Sequence, residues 1–433
     1  MMLVSVLIAI LSVIAFILCI LFQVEVPRGK VISVKLYPFV PLFGGLTMLM
    51  FGAIKPEDLA KSFLENSSVN PIKILVLFLS MTIFSLILDR TGFFRYISGV
   101  VLKKAGHRQT TVFLSLYSVI SLLTVFTSND IVILTFTPFI CYFCKAAKVQ
   151  PIPYLMMEFV AANTWSLFLL IGNPTNIYLS GAFEIGFFEY VRVMALPTLV
   201  IGILSLLIML VLFRKSLRVP IDCQVKITPI EDKPLMIISL AHLLLCVVLL
   251  SISQYLNFEM WLISLLVALS AVICSTVCLV IRGKDLKPVS RAIRSMPFEI
   301  IPFVIGMFMI VLGLDLTGVT EAIAYAVPAS DSPYMFGGLS LLASNVLNNI
   351  PMSVLFSRIL SFVSSPDAIY ATIAGSNIGA FLTPFGALAG IMWSNLVKQN
   401  RVHFSTLRFV GYGALIGIPS FFAGLWVLDL LVF

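Results

Sequence analysis

The chain has 433 residues, of which 60% are hydrophobic and only 11% charged, and it contains 35 Phe. Soluble globular proteins carry about 25% charged residues, so this composition excludes a large soluble domain and indicates an integral membrane protein. The net charge of +8 does not indicate nucleic acid as a partner, because the basic residues lie between apolar runs, where they set topology. The runs lack the alternation of a β-barrel, so we predict an all-α polytopic membrane protein embedded in the lipid bilayer.

The apolar runs predict about ten transmembrane helices, at about 20 residues per span. The first run has no basic n-region and no A-x-A-like cleavage site, so we interpret it as a span and not as a signal peptide. The predicted spans are 2–22, 37–54, 73–89, 153–187, 190–213, 235–252, 259–282, 298–314, 368–397 and 409–432.

Two further apolar stretches, 110–144 and 332–362, are each interrupted by polar residues. The first contains LLTVFTSNDIVILTFTP and the second LLASNVLNNIPMSVLF. In hydrocarbon each unsatisfied polar group costs several kcal/mol, and non-helical backbone is tolerated only against protein or a water-filled cavity. We therefore predict that both stretches are re-entrant hairpins with polar tips.

The distribution of basic residues indicates an orientation. If the ten spans cross and the hairpins do not, 23 of the 28 Lys and Arg residues fall on one side. By the positive-inside rule that side is cytoplasmic. The prediction is a multi-pass protein of the cell membrane with both termini outside, the first hairpin entering from the cytoplasm and the second from outside.

The two halves of the chain share an ordered set of short motifs. The pairs are LDRTG at 88–92 with LDLTG at 314–318, Asn129-Asp130 with Asn348-Asn349, and Asn163 and Gly172 with Asn377 and Gly386. Five crossings per half is an odd number, so the second half is predicted to be inverted. The predicted organisation is an N-terminal repeat at 1–213, a cytoplasmic linker at 214–234 and a C-terminal inverted repeat at 235–433.

Polar residues, Gly and Pro also interrupt the predicted spans 153–187 and 368–397. Pro removes a backbone donor and Gly permits unwinding, which frees carbonyl groups at membrane depth. Two hairpin tips meeting two broken helices predict a solute site near the midplane. Its predicted residues are Ser128, Asn129, Asp130, Asn163, Thr164, Gly172, Asn173, Thr175, Asn176, Asn348, Asn349, Ser376, Asn377, Thr383 and Gly386.

The predicted site offers two kinds of ligand group. Half-helix N-termini favour an anion, whereas exposed carbonyls suit Na⁺ or hydration linked to H⁺. Candidate Na⁺ ligands are Ser128, Asn129, Asn163, Asn348 and Asn377. No cofactor is predicted besides a coupling ion, Na⁺ or H⁺. The alternative for any one of these side chains is that it only joins helices by hydrogen bonds, as is common in bundles.

Three ionisable residues lie within apolar stretches. A carboxylate at Asp130 costs about 2.5–3.5 kcal/mol on insertion scales, so we expect it to be functional, either exchanging a proton or remaining ionised beside a cation. Glu158 is either a second titratable group or a residue near the cytoplasmic interface, and His242 is expected to be structural. The C-x-x-C pair of Cys141 and Cys144 has no second pair, so free thiols are expected and not a zinc site.

With these motifs placed, the chain resembles the ion transporter superfamily that includes arsenite permeases, citrate-type and dicarboxylate carriers and certain sodium/proton antiporters. The likeness is most specific at 128–138, 162–177, 347–356 and 375–390, and their arrangement is most similar to that of the arsenite permeases. The resemblance implies two inverted repeats, each with a re-entrant hairpin and a broken helix, often in a homodimer that works by an elevator-type movement.

The chain departs from the arsenite permeases at two positions. Arsenite permeases tend to have acidic residues where this chain has Asn163 and Ile378. Because this chain has no carboxylate at either position, the resemblance favours carboxylate carriers that bind Na⁺. The leading hypothesis is a secondary transporter of an inorganic or small organic anion, with arsenite or a related oxyanion as the named substrate. The alternatives are a Na⁺-coupled citrate or dicarboxylate symporter, or a Na⁺/H⁺ antiporter.

Other functional classes find less support in the sequence. It contains no H-E-x-x-H and no G-x-S-x-G, so an enzyme is not predicted. It contains no P-loop, although one sequence leaves open whether a separate ATPase associates with it. A channel needs a continuous polar pore, whereas a midplane site between opposed hairpins suits alternating access.

Overall fold

The computed structural model describes residues 1–22, 24–28, 32–65, 70–105, 108–221, 227–256, 258–326, 333–363 and 365–432. The predicted hairpin boundary at residue 332 and the chain end at residue 433 lie outside these ranges. Within them the chain is overwhelmingly α-helical, which confirms the predicted class.

The described residues form 22 α-helices. Their bounds are α1 Met2–Leu21, α2 Val40–Met50, α3 Pro56–Leu64, α4 Pro71–Arg90, α5 Phe93–Ala105, α6 Gln109–Phe126, α7 Asn129–Ala146, α8 Pro151–Trp165, α9 Pro174–Ala182, α10 Phe187–Leu212, α11 Arg214–Leu217, α12 Lys233–Ser251, α13 Ser253–Leu256, α14 Met260–Ile281, α15 Lys287–Arg294, α16 Ile300–Leu316, α17 Val319–Ala326, α18 Pro333–Leu347, α19 Asn349–Leu360, α20 Pro366–Gly379, α21 Leu388–Gln399 and α22 Thr406–Val432. Short 3₁₀ helices cover Tyr37–Phe39 and Leu170–Gly172. One small antiparallel hairpin pairs β1 (Glu25–Arg28) with β2 (Ile32–Lys35).

Seven helices of the described chain are long and apolar enough to cross a membrane, namely α1, α4, α6, α10, α12, α14 and α22. An eighth span is added if α16 and α17, which meet at a 73° bend, are taken together. The set includes α6, which the sequence analysis assigned to one arm of the first hairpin. The predicted spans 153–187 and 368–397 are each divided into two helices, so neither provides one continuous span.

The centre of the bundle is formed by α8 and α20. All side chains of 153–164 in α8 and 367–379 in α20 are buried, whereas α1 and α14 present many exposed apolar side chains. Helix α18 packs closely on α20 because small residues meet there. A Cβ atom on Gly375 would lie 2.0 Å from Ser340 Oγ, and one on Gly379 would lie 2.2 Å from Ser344 Oγ.

The order of elements from α4 to α10 recurs from α16 to α22. Each series has a long helix, a short helix, two helices separated by a break, a divided helix and a final long helix. The motif pair found in the sequence marks corresponding turns, because Gly92 after α4 has φ 77° and Gly318 after α16 has φ 78°. Only glycine adopts this left-handed conformation without steric cost, which accounts for the recurrence of Gly at this position.

Candidate functional site

Helix breaks occur at both positions where the sequence shows polar clusters. Helix α6 ends at Phe126 and α7 begins at Asn129, with Ser128 in an extended conformation between them. Helix α18 ends at Leu347 and α19 begins at Asn349. The intervening Asn348 has φ 73° and ψ 152°, a conformation that is strained for any residue other than glycine.

In the first divided helix, side chains bind the backbone groups at the break between α8 and α9 and stabilise it. Helix α8 ends at Trp165, and Asn173 then caps α9 by accepting from the Thr175 N–H at 3.1 Å. The Asn176 side chain donates to the free carbonyl of Ser166 at 2.8 Å. A Cβ atom on Gly172 would lie 2.3 Å from that same carbonyl oxygen, so the returning chain requires glycine there.

In the second divided helix, the break between α20 and α21 is stabilised by Asn345, a residue of α18. Its side chain donates to the Gly379 carbonyl at 2.9 Å and accepts from Thr383 Oγ1 at 2.7 Å. A Cβ atom on Gly386 would lie 2.9 Å from Asn345 Oδ1. The Asn348 amide donates to the Phe385 carbonyl at 3.0 Å, so the second break also contacts this segment.

The two divided helices meet directly at Asn377. Its Oδ1 accepts from Asn173 Nδ2 at 2.7 Å and from Ser166 Oγ at 3.1 Å, and its Nδ2 donates to Asn176 Oδ1 at 2.8 Å. Beside this contact, Thr175 Oγ1 lies 3.2 Å from Ser376 Oγ. All of these side chains are fully buried. We call this group the asparagine junction; its members are Ser166, Asn173, Thr175, Asn176, Ser376 and Asn377.

Both helix breaks contact the divided helices. From the second break, Asn349 Nδ2 approaches Asn173 Oδ1 at 3.5 Å, which places the N-termini of α9 and α19 next to each other. From the first break, Asn129 Nδ2 donates to Asn163 Oδ1 at 3.1 Å. The Ser166 hydroxyl lies within hydrogen-bonding distance of the Asn163 carbonyl as well as of Asn377. A continuous set of polar contacts therefore runs from one break to the other.

Several buried oxygens around these breaks have no hydrogen-bond partner within the described chain: Ser128 Oγ, Thr164 Oγ1, Asn348 Oδ1 and Asn349 Oδ1. Buried polar atoms are nearly always satisfied, so these oxygens are free to accept a hydrogen bond from water or to contact a bound solute. Asp130 lies in the first turn of α7, where the helix dipole favours a negative charge, and its side chain is 7% exposed.

The structure thus brings together most of the residues that the sequence analysis selected. Asn173, Thr175, Asn176, Ser376 and Asn377 form the junction, Asn349 contacts it, and Gly172 shapes it. Asn345 contacts Thr383 and lies next to Gly386, and Asn348 contacts the Phe385 carbonyl of the same segment. Ser166 and Asn345 are not among the residues predicted from the sequence. The signal for both was spacing, because Ser166 follows Asn163 by three residues and Asn345 precedes Asn348 by three, one helical turn in each case.

The remaining polar expectations fall outside the junction. Glu158 is fully buried within the bundle and accepts from Thr137 Oγ1 at 2.8 Å. The ring nitrogens of His242 contact the Ile238 carbonyl and Ser270 Oγ, in agreement with a structural role. Cys141 and Cys144 are buried free thiols. No group of three metal-ligating side chains occurs within the described ranges.

Comparison with known proteins defines the class to which this architecture belongs. The family model described as citrate transporter, CitMHS, matches residues 1–373. The chain belongs to the citrate transporter family, and it is a multi-pass membrane transporter.

Two curated relatives match most of the chain. It is 25% identical over 435 residues to the arsenical pump membrane protein of Escherichia coli strain K12, an alignment that covers 96% of this chain and 97% of the relative. It is 26% identical over 371 residues to the arsenical pump membrane protein of Yersinia enterocolitica, covering 82% and 85% of the two chains. These matches confirm the resemblance to the arsenite permease and citrate carrier group.

Two solved structures share the fold. The YdaH transporter of Alcanivorax borkumensis superposes with a TM-score of 0.58 at 13% identity, covering 100% of this chain and 97% of that one. Neisseria gonorrhoeae MtrF, whose structure is described in connection with antimetabolite efflux pumps, superposes with a TM-score of 0.53 at 13% identity, covering 100% and 94%. At this identity the likeness concerns the fold alone.

Proposed function

We propose that the protein is a secondary active transporter that moves an inorganic or small organic anion by alternating access. The observation that carries this proposal is the contact between Asn349 and Asn173, which sets the N-termini of α19 and α9 side by side. Each helix N-terminus carries a partial positive charge of about half an elementary charge, so two together favour an anion. The names of the curated relatives support arsenite or a related oxyanion as the substrate.

The unpartnered oxygens beside the junction support a coupling cation. Ser128 Oγ and Asn348 Oδ1 belong to the two helix breaks and accept no hydrogen bond from the residues that the structure describes. Together with Asn129, Asn163 and Asn377 they form the proposed Na⁺ ligand set, and Asp130 supplies a carboxylate for H⁺ exchange or charge balance. A cation and an anion bound at one junction reduce each other's electrostatic cost in a low-dielectric interior.

The proposed membrane arrangement is two inverted repeats, each with one polar-tipped hairpin, 110–144 and 332–362. The hairpins enter from opposite faces, the basic loops are cytoplasmic and both termini face outward. The recurring order of elements and the matched turns at Gly92 and Gly318 support this arrangement. We further propose a homodimer in which the junction moves as a unit in an elevator-type cycle.

A second candidate function is Na⁺-coupled symport of citrate or a dicarboxylate, or Na⁺/H⁺ antiport. The family match and the absence of a carboxylate at Asn163 favour it, because amide and hydroxyl oxygens then remain as ligands for Na⁺. The same junction serves either anion, so transport itself must separate the candidates.

The test uses the purified full chain in proteoliposomes. Arsenite efflux from loaded vesicles is compared with uptake of radiolabelled citrate and succinate, each with and without Na⁺ and pH gradients. Gradient-driven arsenite movement supports the leading proposal, and Na⁺-dependent carboxylate uptake supports the alternative. Movement of neither anion class, or single-channel currents in planar bilayers, contradicts a secondary anion transporter.

A further inference from the structure

Glu158 forms a second buried polar site, separate from the asparagine junction. It lies five residues before Asn163 in α8, about 7.5 Å along the helix axis, and its side chain is fully buried. Oε1 accepts from Thr137 Oγ1 of α7 at 2.8 Å. Oε2 has no hydrogen-bond partner among the described residues. The carboxyl group is thus half satisfied in the interior of the bundle.

An aromatic wall from α21 and α22 closes the other side of this carboxyl group. The indole of Trp393 faces it closely enough to interact as a donor, although within the described chain Trp393 Nε1 reaches no partner at full hydrogen-bonding geometry. The Trp393 ring packs against Phe159 and Phe409, with ring centroids 5.3 Å apart in each pair. Helices α7 and α8 and the aromatic wall therefore meet at Glu158.

The chemistry of this pocket selects its ligand. Among the residues that the structure describes, no charge of a Lys, Arg or His side chain interacts with Glu158. The thiol of Cys141 on α7 is a titratable neighbour of this carboxyl group. An ionised carboxylate with one hydrogen bond and no cation carries a large desolvation cost, whereas the neutral acid does not. One carboxyl and one hydroxyl supply too few oxygens for a metal cation. A proton is the ligand that fits.

We propose that Glu158 is a proton-binding site of the transport cycle; this inference rests on the proposed function as a secondary transporter. The proton is held on Oε2 while Thr137 donates to Oε1 and the aromatic wall excludes water. When α7 or α21 moves away from α8, water reaches Oε2, the O–H bond breaks and the proton passes to that water as hydronium. The charged carboxylate is then stabilised by hydration until the pocket closes again.

The first test detects the proton directly and needs no transported solute. Infrared difference spectra are recorded across a pH titration of the purified full chain in lipid nanodiscs. We expect a C=O stretching band of a protonated carboxylic acid near neutral pH that is lost in Glu158→Gln and retained in the matched control Glu321→Gln, an exposed Glu on α17. In Thr137→Val the band should move to higher frequency, because its carbonyl loses a hydrogen bond.

The second test places the proton in the cycle. In proteoliposomes, proton movement accompanying the transported anion is followed with an internal pH dye. Glu158→Gln should lose the proton movement and the pH dependence of anion flux, while Glu321→Gln retains both.

The two tests separate the two claims. A missing carboxylic acid band in the wild type, a band unchanged in Glu158→Gln, or full proton coupling in that variant would overturn the proposal. If Glu158→Gln does not fold, the frequency shift in Thr137→Val makes the assignment, and its absence counts against the site. A band assigned to Glu158 in a protein that moves no anion refutes the proposed function and leaves the protonation itself established.

Discussion

Asn377 of α20 accepts a hydrogen bond from Asn173, the N-cap of α9, at 2.7 Å, although the two residues are 204 positions apart in the chain. This contact joins the two divided helices, one from each half of the molecule. It also arranges the surrounding polar atoms. The Asn377 amide nitrogen donates to Asn176 Oδ1, and Ser166 Oγ donates to the Asn377 oxygen that accepts from Asn173. The geometry of the proposed anion site therefore depends on one amide group.

Replacing Asn377 with Ala should abolish or strongly impair transport while the protein still inserts into the membrane. The change removes the partner of two buried groups, Asn173 Nδ2 and Asn176 Oδ1, at about 1–3 kcal/mol for each unsatisfied group, whereas Ser166 keeps its contact with the Asn163 carbonyl. Transport and melting temperature in detergent are measured beside Asn400→Ala, a control at the exposed end of α21. Wild-type transport rates in Asn377→Ala would remove the junction from the site.

Asn129 and Asn163 should behave as a coupled pair, because Asn129 Nδ2 donates to Asn163 Oδ1 at 3.1 Å. Each single replacement by Ala is expected to impair transport. In a double-mutant cycle the combined loss should be smaller than the sum of the single losses, by about 0.5–3 kcal/mol when rates are converted to free energies. Additive losses would show that the first helix break acts independently of α8.

Asp130→Asn should abolish ion coupling or change the pH dependence of transport. The variant keeps the size and the helix-start position of the side chain but can neither carry a charge nor exchange a proton. Flux is measured from pH 5 to pH 9 with Na⁺ present or replaced by K⁺. A Na⁺ and pH response equal to that of the wild type would exclude Asp130 from coupling.

Gly172→Ala should destabilise the first divided helix and reduce transport. The added Cβ atom would lie 2.3 Å from the Ser166 carbonyl oxygen, which Asn176 also contacts, so the backbone must move. Gly338→Ala is the matched control, since nothing lies within 4 Å of a Cβ atom at that position of α18. We expect a lower melting temperature only for Gly172→Ala. Equal stability and equal transport in the two variants would contradict the close approach.

Asp232 provides a stability prediction away from the site. Burial raises the pKa of this N-cap carboxyl, but hydrogen bonds from Arg282, Lys284 and the Leu235 N–H outweigh it and lower the pKa from 3.8 to about 2. The stabilisation is complete above the ordinary pKa and is lost as pH falls through about 2.

Asp232→Asn should therefore reduce stability by about 1–2 kcal/mol at neutral pH, after allowance for solvent screening of the exposed cations. Melting temperatures of wild type and variant are compared at pH 7 and at steps down to pH 2. The difference should shrink below about pH 4, and a difference that stays constant with pH would refute the charge-based explanation.

The sequence located the helix breaks because polar residues in an apolar run have few structural explanations. The clusters around Asn129 and Asn348 therefore marked both breaks. Likewise, Gly172 with Pro174 marked the start of α9. The recurrence of Gly92 at Gly318 indicated equivalent turns, because a left-handed residue selects glycine on steric grounds.

Other features depend on tertiary contacts, for which local spacing indicates only which residues share a helix face. The roles of Ser166 and Asn345 arise from side chains reaching residues far along the chain, at Asn377 and Thr383. Strands β1 and β2 have four residues each, too short for a reliable alternation pattern within a charged loop. Length and hydropathy do not distinguish α6 from a helix that crosses the membrane, because α6 has 18 residues and is apolar enough to span a membrane by itself.

The most direct measurement of the central claim is the sidedness of the segments that flank the two helix breaks. Single cysteines are introduced at the exposed positions Arg108 and Lys148, which flank α6 and α7, and at Tyr325 and Ser361, which flank α18 and α19. Each variant, in a background without the native cysteines, is labelled with a membrane-impermeant maleimide in oriented membrane vesicles. Two inverted hairpins predict that Arg108 and Lys148 are labelled from the cytoplasmic face and that Tyr325 and Ser361 are labelled from the opposite face. Labelling of Arg108 and Lys148 from different faces, or of Tyr325 and Ser361 from different faces, would contradict the account.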